Sequence, residues 1–285
     1  EQISGNAISA QNALGSWTVE GNLCRGPIGG HAMHFYNQGG TMALNNNTVA
    51  GSAYGILANG GSAAWTVTGN SVTGVQDQGP QVGMGFRSLQ AEGSVTASDN
   101  TITSVGSVGL GLMSNLADVA LNANTVSDTW SNTGGGILAR VGIGVVIVDS
   151  LSVTLTSNTI SNNAFAGVLI DLGGVDGAAT ITLTNNTSAN NNQQSNRDVV
   201  QQNVPETATV TVTNSGEGDT LERDDQVPVD RSATPPPRCG DGAVDPSLGE
   251  TCDPKAPDTQ INCTIACVLD GTDGFRSDGR SIAAG

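Results

Sequence analysis

Residues 153–174 read VTLTSNTISNNAFAGVLIDLGG: apolar side chains at alternate places, then Asn158, then Ile160 two places on, then Gly167 and a second apolar run. Alternation of period two makes 153–158 a strand with one buried face. The asparagine closes that strand, and the same order of events recurs along the chain. The copies are WTVEGN (17–22), MALNNN (42–47), WTVTGN (65–70), VTASDN (95–100), VALNAN (119–124), ITLTNN (181–186) and VTVTNS (210–215). Each carries apolar residues five and three places before its last residue. Those last residues lie 25, 23, 30, 24, 34, 28 and 29 positions apart, a repeat length that signals a solenoid.

A strand that turns sharply and stacks on its copy needs a residue that tolerates left-handed backbone and bonds its neighbours, and asparagine suits both demands. Asn47, Asn70, Asn100, Asn124, Asn158 and Asn186 are therefore expected to stack as an amide ladder at one corner. A β-branched residue follows two places later in most copies (Val49, Val72, Ile102, Val126, Ile160), then a variable loop, then glycine and a second strand: YGILAN (54–59), GMGFRS (83–88), GLGLMS (109–114), GILARV (136–141), GVLIDL (167–172). Asn6 lies only 16 residues before Asn22, so the first coil is expected to be incomplete or differently registered.

These segments resemble the right-handed parallel β-helix family, the architecture of pectate lyases, polygalacturonases and phage tailspikes. The resemblance spans about residues 3–215 and implies an all-β solenoid; it says little of activity, because many chemistries share this scaffold.

Composition narrows the rest. Gly at 39 of 285 is about twice the usual share, whereas 13% charged residues is about half of it. Ten basic residues against 26 acids leave a net charge of −16, a surface that repels nucleic acid and anionic lipid. The longest apolar run, GIGVVIV at 142–148, is too short to span a bilayer. The chain starts at Glu1 with neither Met nor a signal-peptide pattern, so a processing or fragment boundary is expected there.

Four segments follow: a solenoid over 1–215, an acidic linker over 216–238 that ends in PPP, a cysteine-rich module over 239–270 and a tail over 271–285. The module holds Cys239, Cys252, Cys263 and Cys267 with 12, 10 and 3 intervening residues, and both histidines lie far away. That spacing favours disulfides over zinc, with three pairings open. So small a module needs such bonds, and they imply export to an oxidising compartment, outside the cell or on its surface. The stretch beginning CGDG resembles the short cysteine-rich repeat of secreted myxobacterial-type proteins through Cys239, Gly240, Asp241, Gly242, Asp245, Pro246, Gly249, Glu250, Cys252 and Asp253. It departs from that pattern at INC (261–263), where DGC is expected. Asp241, Asp245, Glu250 and Asp253 suit calcium by ligand type, although their spacing fits no EF-hand loop and equally fits a solvated acidic loop. Cys24 is left over and is expected to be buried in the first coil.

Two outward-facing patterns bear on function. The position four after each second-strand glycine predicts a row Asn59, Arg87, Met113, Arg140, Asp171, extended by His34 and Tyr36 from AMHFYN. The functional reading is a glycan-binding groove, with arginine pairing a uronate or sulfate and tyrosine stacking on a sugar. The plain reading is a solvated ion pair between Arg140 and Asp171. The β-helix resemblance implies an alternative, a polysaccharide lyase or glycoside hydrolase acting on acidic polysaccharide, with Arg140 and Asp171 as catalytic candidates. The second pattern is a set of T-x-T pairs at 66/68, 154/156, 182/184 and 211/213, which resembles the ice-binding faces of β-solenoids. Irregular coil lengths, with Glu20, Asn45 and Asn122 as interruptions, favour threonine as a plain strand former there.

Overall fold

The computed structural model describes residues 5–75, 81–129, 141–146, 152–172, 179–191, 199–202, 204–205, 207–213 and 221–223. The chain divides after Ala233 into two units, and all described residues lie in the first. The cysteine-rich module, with its four cysteines and four carboxylates, lies outside them.

Among the described residues there is no helix, and every strand pairing is parallel. The first sheet stacks eight strands in chain order: β2 (Ser16–Glu20), β4 (Thr41–Asn45), β6 (Ala64–Thr68), β9 (Ser94–Ser98), β12 (Asp118–Asn122), β15 (Ser152–Thr156), β18 (Thr180–Thr184) and β21 (Thr209–Thr213). The second holds the first residues of β3 (Leu23–Gln38) and β5 (Thr48–Gly61), then β7 (Ser71–Val75), β10 (Thr101–Val105), β13 (Thr125–Thr129), β16 (Thr159–Ser161) and β19 (Thr187–Ala189). The third holds β1 (Ile8–Gln11), the later residues of β3 and β5, β8 (Gln81–Arg87), β11 (Ser107–Met113), β14 (Val141–Val146), β17 (Ala166–Asp171), β20 (Val199–Gln202) and β22 (Leu221–Arg223). Strands β3 and β5 pass through the corner unbroken, so the second and third sheets share one hydrogen-bonded path.

Each coil therefore has three faces around one core. Apolar residues five and three places before each ladder asparagine form two inward rows of the first sheet, Met42–Trp65–Val95 and Leu44–Val67–Ala97 among them. Val49, Val72, Ile102, Val126 and Ile160 line the second sheet, and Cys24 occupies the same row, buried as expected.

The ladder forms with all six predicted asparagines, and Asn22 begins it. Asn100 shows the repeating unit. Its Oδ1 accepts from the backbone N of Asn70 (3.0 Å) and from Asn70 Nδ2 (2.9 Å). Its own Nδ2 donates to Val67 O and to Asn124 Oδ1, both at 2.9 Å. Every polar atom of a buried amide is thereby used, which is the condition for tolerating it in an apolar core.

The left-handed backbone falls one residue earlier than the sequence suggests. Gly21, Asn46, Gly69, Asp99, Ala123, Ser157 and Asn185 have φ between 52° and 67°. The ladder asparagine itself is free to point inward because its predecessor makes the turn. Two further sets do the same at the other corners: Gly51, Gly74, Ser104, Asp128, Asn162 and Asn190, and Asn12, Asn37, Gly60, Ser88 and Ser114. There too amides face inward, with Asn163 stacked on Asn191 and Asn115 accepting from Leu89 N.

Glycines open the third sheet for a packing reason. A Cβ on Gly83 would sit 2.7 Å from Ile102 Cγ2 and 2.8 Å from Gly109 O, so neighbouring coils can approach there only without side chains. At the start of the chain, β1 pairs with Met33–Tyr36 of β3, so Asn6 belongs to a third-sheet rung and not to the ladder. That explains its short distance from Asn22. Pairing also runs past the expected solenoid end, since β22 lies on β20 within the stretch whose acidity reads as linker.

Replacing Asn124 by alanine removes four side-chain hydrogen bonds, leaving Asn100 N without its acceptor and Ala97 O without the amide donor, while Asn100 Nδ2 keeps Val67 O and Asn158 Oδ1 keeps the backbone N of residue 124. We expect Asn124→Ala to cost roughly 2–4 kcal/mol in urea unfolding, and Asn22→Ala at the exposed ladder end less than about 1 kcal/mol.

Candidate functional site

The predicted row exists on the outside of the third sheet. Strand register places Gln11 beside Tyr36, Tyr36 beside Asn59, Asn59 beside Arg87, and Arg87 beside Met113. Tyr36 and Arg87 are exposed and Asn59 is half-buried. Adjacent members are about 4.8 Å apart along the stack.

Beyond Met113 the sequence reading is corrected. Val146 of β14 stands next to Met113, and Asp171 stands next to Val146. Arg140 precedes β14 and lies outside the described residues. The rule of four places after glycine holds, but the glycine is Gly142 and not Gly136. Spacing to the following ladder asparagine carries that signal: 15 residues from Gly55, 17 from Gly83, 15 from Gly109, 16 from Gly142, but 22 from Gly136. Arg87 and Asp171 are three strands apart, on the order of 14 Å between backbones. On the described strands the neighbour of Asp171 is Val146, and the expected Arg140–Asp171 pairing lies outside the described residues.

His34 falls in the next row, between Ser9 and Leu57, rather than in line with Tyr36. It joins a cluster that the sequence reading did not foresee. The His31 ring stacks on His34 at 4.7 Å between centroids and on Tyr54 at 4.5 Å, and Tyr36 meets His34 edge-on at 6.5 Å. Asn6 ties the group to β1: its Oδ1 accepts from His31 N (2.9 Å), and its Nδ2 lies 3.4 Å from His34 Nδ1. His31 and His34 share a side although three apart, because Ala32 and Met33 are both buried and interrupt the alternation. That interruption beside a Gly-Gly pair was the available signal.

Next to Arg87 the face turns apolar. Leu57, Val82 and Val108 pack together with Met113, and Gly85 leaves them room, since a Cβ there would lie 2.6 Å from Val82 Cγ2. The row therefore offers an aromatic edge, an amide and a guanidinium beside an apolar strip. Among the described residues no three His, Cys, Asp or Glu side chains come together for a metal ion, and no helix is long and apolar enough to cross a membrane.

Burial lowers the His31 pKa from 6.5 to about 4, with the neighbouring His34 adding to the effect, and burial lowers that of His34. Between those values the unfolded chain binds a proton at His31 that the folded chain excludes. Stability should fall as pH falls from 6.5 and level off below about 4. The melting midpoint of His31→Gln, followed from pH 7 to 5, should be less pH-dependent than that of the parent chain.

Compared with known proteins, the chain matches a family model described as the right handed beta helix region over residues 6–217. Neither the curated proteins nor the solved structures contain a match. Parallel sheets, an inward amide ladder and this match over most of the chain agree, and the chain belongs to the right-handed β-helix family.

Proposed function

We propose that this chain is an exported β-helix protein that recognises a glycan along its third sheet, with Arg87 as the local cation that meets an acidic group on it, without cleaving it. The observation that carries the reading is the register Tyr36–Asn59–Arg87, one polar or aromatic group per strand. A repeat of about 4.8 Å is close to the length of one sugar unit, so a glycan lying along the stack would meet one group per residue. Arg87 would pair with a carboxylate or sulfate, Asn59 with hydroxyls, and Tyr36 with a sugar face.

Export and a cell-surface or extracellular location are supported by the cysteine spacing of 239–267 and by the acidic, proline-ended stretch before it. In this reading the module over 239–270 is closed by disulfides among Cys239, Cys252, Cys263 and Cys267. Asp241, Asp245, Glu250 and Asp253 are its candidate calcium ligands. The alternative, lyase or hydrolase chemistry, would need carboxylates or cationic partners gathered around Arg87 or Asp171.

The test is retention of the chain on immobilised polygalacturonate against a neutral glucan, with new reducing ends measured in the same samples. We expect retention on the acidic polymer, weakened about tenfold by Arg87→Ala, equivalent to about 1.4 kcal/mol. Tyr36→Ala should weaken it less, and no new ends should appear. Equal retention of Arg87→Ala, or cleavage of either polymer, would overturn the proposal.

A further inference from the structure

The outer face of the eight-stranded first sheet carries three outward positions per strand, or 24 in all. Thirteen are threonine and four are serine; only Glu20 and Asp118 are charged, and there is no cation. On a chain of net charge −16 this face is set apart by carrying only those two charges. The last three strands form an unbroken block of hydroxyls: Ser152, Thr154 and Thr156 on β15, Thr180, Thr182 and Thr184 on β18, Thr209, Thr211 and Thr213 on β21.

The irregular coil lengths that spoke against an ordered array do not reach this sheet. All seven pairings are one-to-one without a bulge, and among the described residues the register shifts fall between β3 and β5. The interruptions Glu20, Asn45 and Asn122 all sit in one outer row, on β2, β4 and β12. The amide ladder runs two places beyond the end of every strand from β2 to β18. Side-chain ladders of this kind are what hold long sheets flat.

We propose that this face binds ice. Its hydroxyls repeat about every 4.8 Å along the stack and about every 6.6 Å along a strand. Both distances lie close to water-oxygen repeats on a prism plane of hexagonal ice. Threonine is stiff at χ1, so the array holds its spacing with little entropy left to lose on binding. Hydroxyls of adjacent strands already bond along the stack, Thr41 Oγ1 to Ser16 Oγ at 2.8 Å and Thr68 with Ser98 at 3.3 Å. The face spans about 34 Å by 13 Å, and the outward positions of its last three strands carry hydroxyls and no charge, which complements an uncharged crystal surface. Glycan recognition is placed on the third sheet, so the two proposals stand or fall separately.

The experiment is thermal hysteresis and ice recrystallisation of the full chain, with Thr154→Lys/Thr182→Lys on this face and Thr103→Lys on the second sheet as the control. Circular dichroism melts establish that each variant is folded. We expect a freezing gap and small, shaped crystals for the parent chain and Thr103→Lys, and loss of most of that gap in the double variant. Absence of both effects in the parent chain, or an unchanged gap in a folded double variant, would refute ice binding.

Discussion

The asparagine amide stack along one corner sets the rest of this structure. Each internal member accepts two hydrogen bonds from the coil before it and donates one to the next asparagine and one back to a carbonyl. A buried amide left half-satisfied would be costly, so a coil slipped by one residue would lose these bonds and also expose its apolar rows. The ladder thus selects one register, and register decides which side chains share a row on the outside.

That selection explains how irregular coils build regular sheets. The distance between successive asparagines varies from 23 to 34 residues, yet Trp65, Val95, Val119 and Val153 stack one upon another. All eight first-sheet strands are five residues long whatever the coil length, and a left-handed residue precedes each ladder position. Outward chemistry then follows by geometry. The third sheet collects rings, amides and arginine beside an apolar strip, while the first collects hydroxyls.

Much of this was legible in the sequence because period-two alternation and a fixed asparagine offset are local signals. They identified the eight first-sheet strands, the six ladder residues, and Tyr36, Asn59, Arg87, Met113 and Asp171 as one row. What escaped was set by competition between nearby candidates or by other parts of the coil. GILARVGIG offers two glycines, and only the distance to Asn158 separates Gly142 from Gly136. The His31–Tyr54 stack depends on two consecutive buried residues, Ala32 and Met33, which alternation does not forecast. The turn geometry belongs to Ala123 and Ser157, residue types with no preference for it, and not to their asparagine neighbours.

The account rests on the ladder being a real, water-excluded hydrogen-bonded column, and hydrogen exchange of the asparagine side-chain amides measures that directly. Nδ2 protons of Asn70, Asn100, Asn124 and Asn158 should exchange as slowly as backbone amides of the first sheet, while those of exposed Asn46 exchange rapidly. If the ladder amides exchange at the rate of Asn46, the column is open to solvent and the register has some other cause.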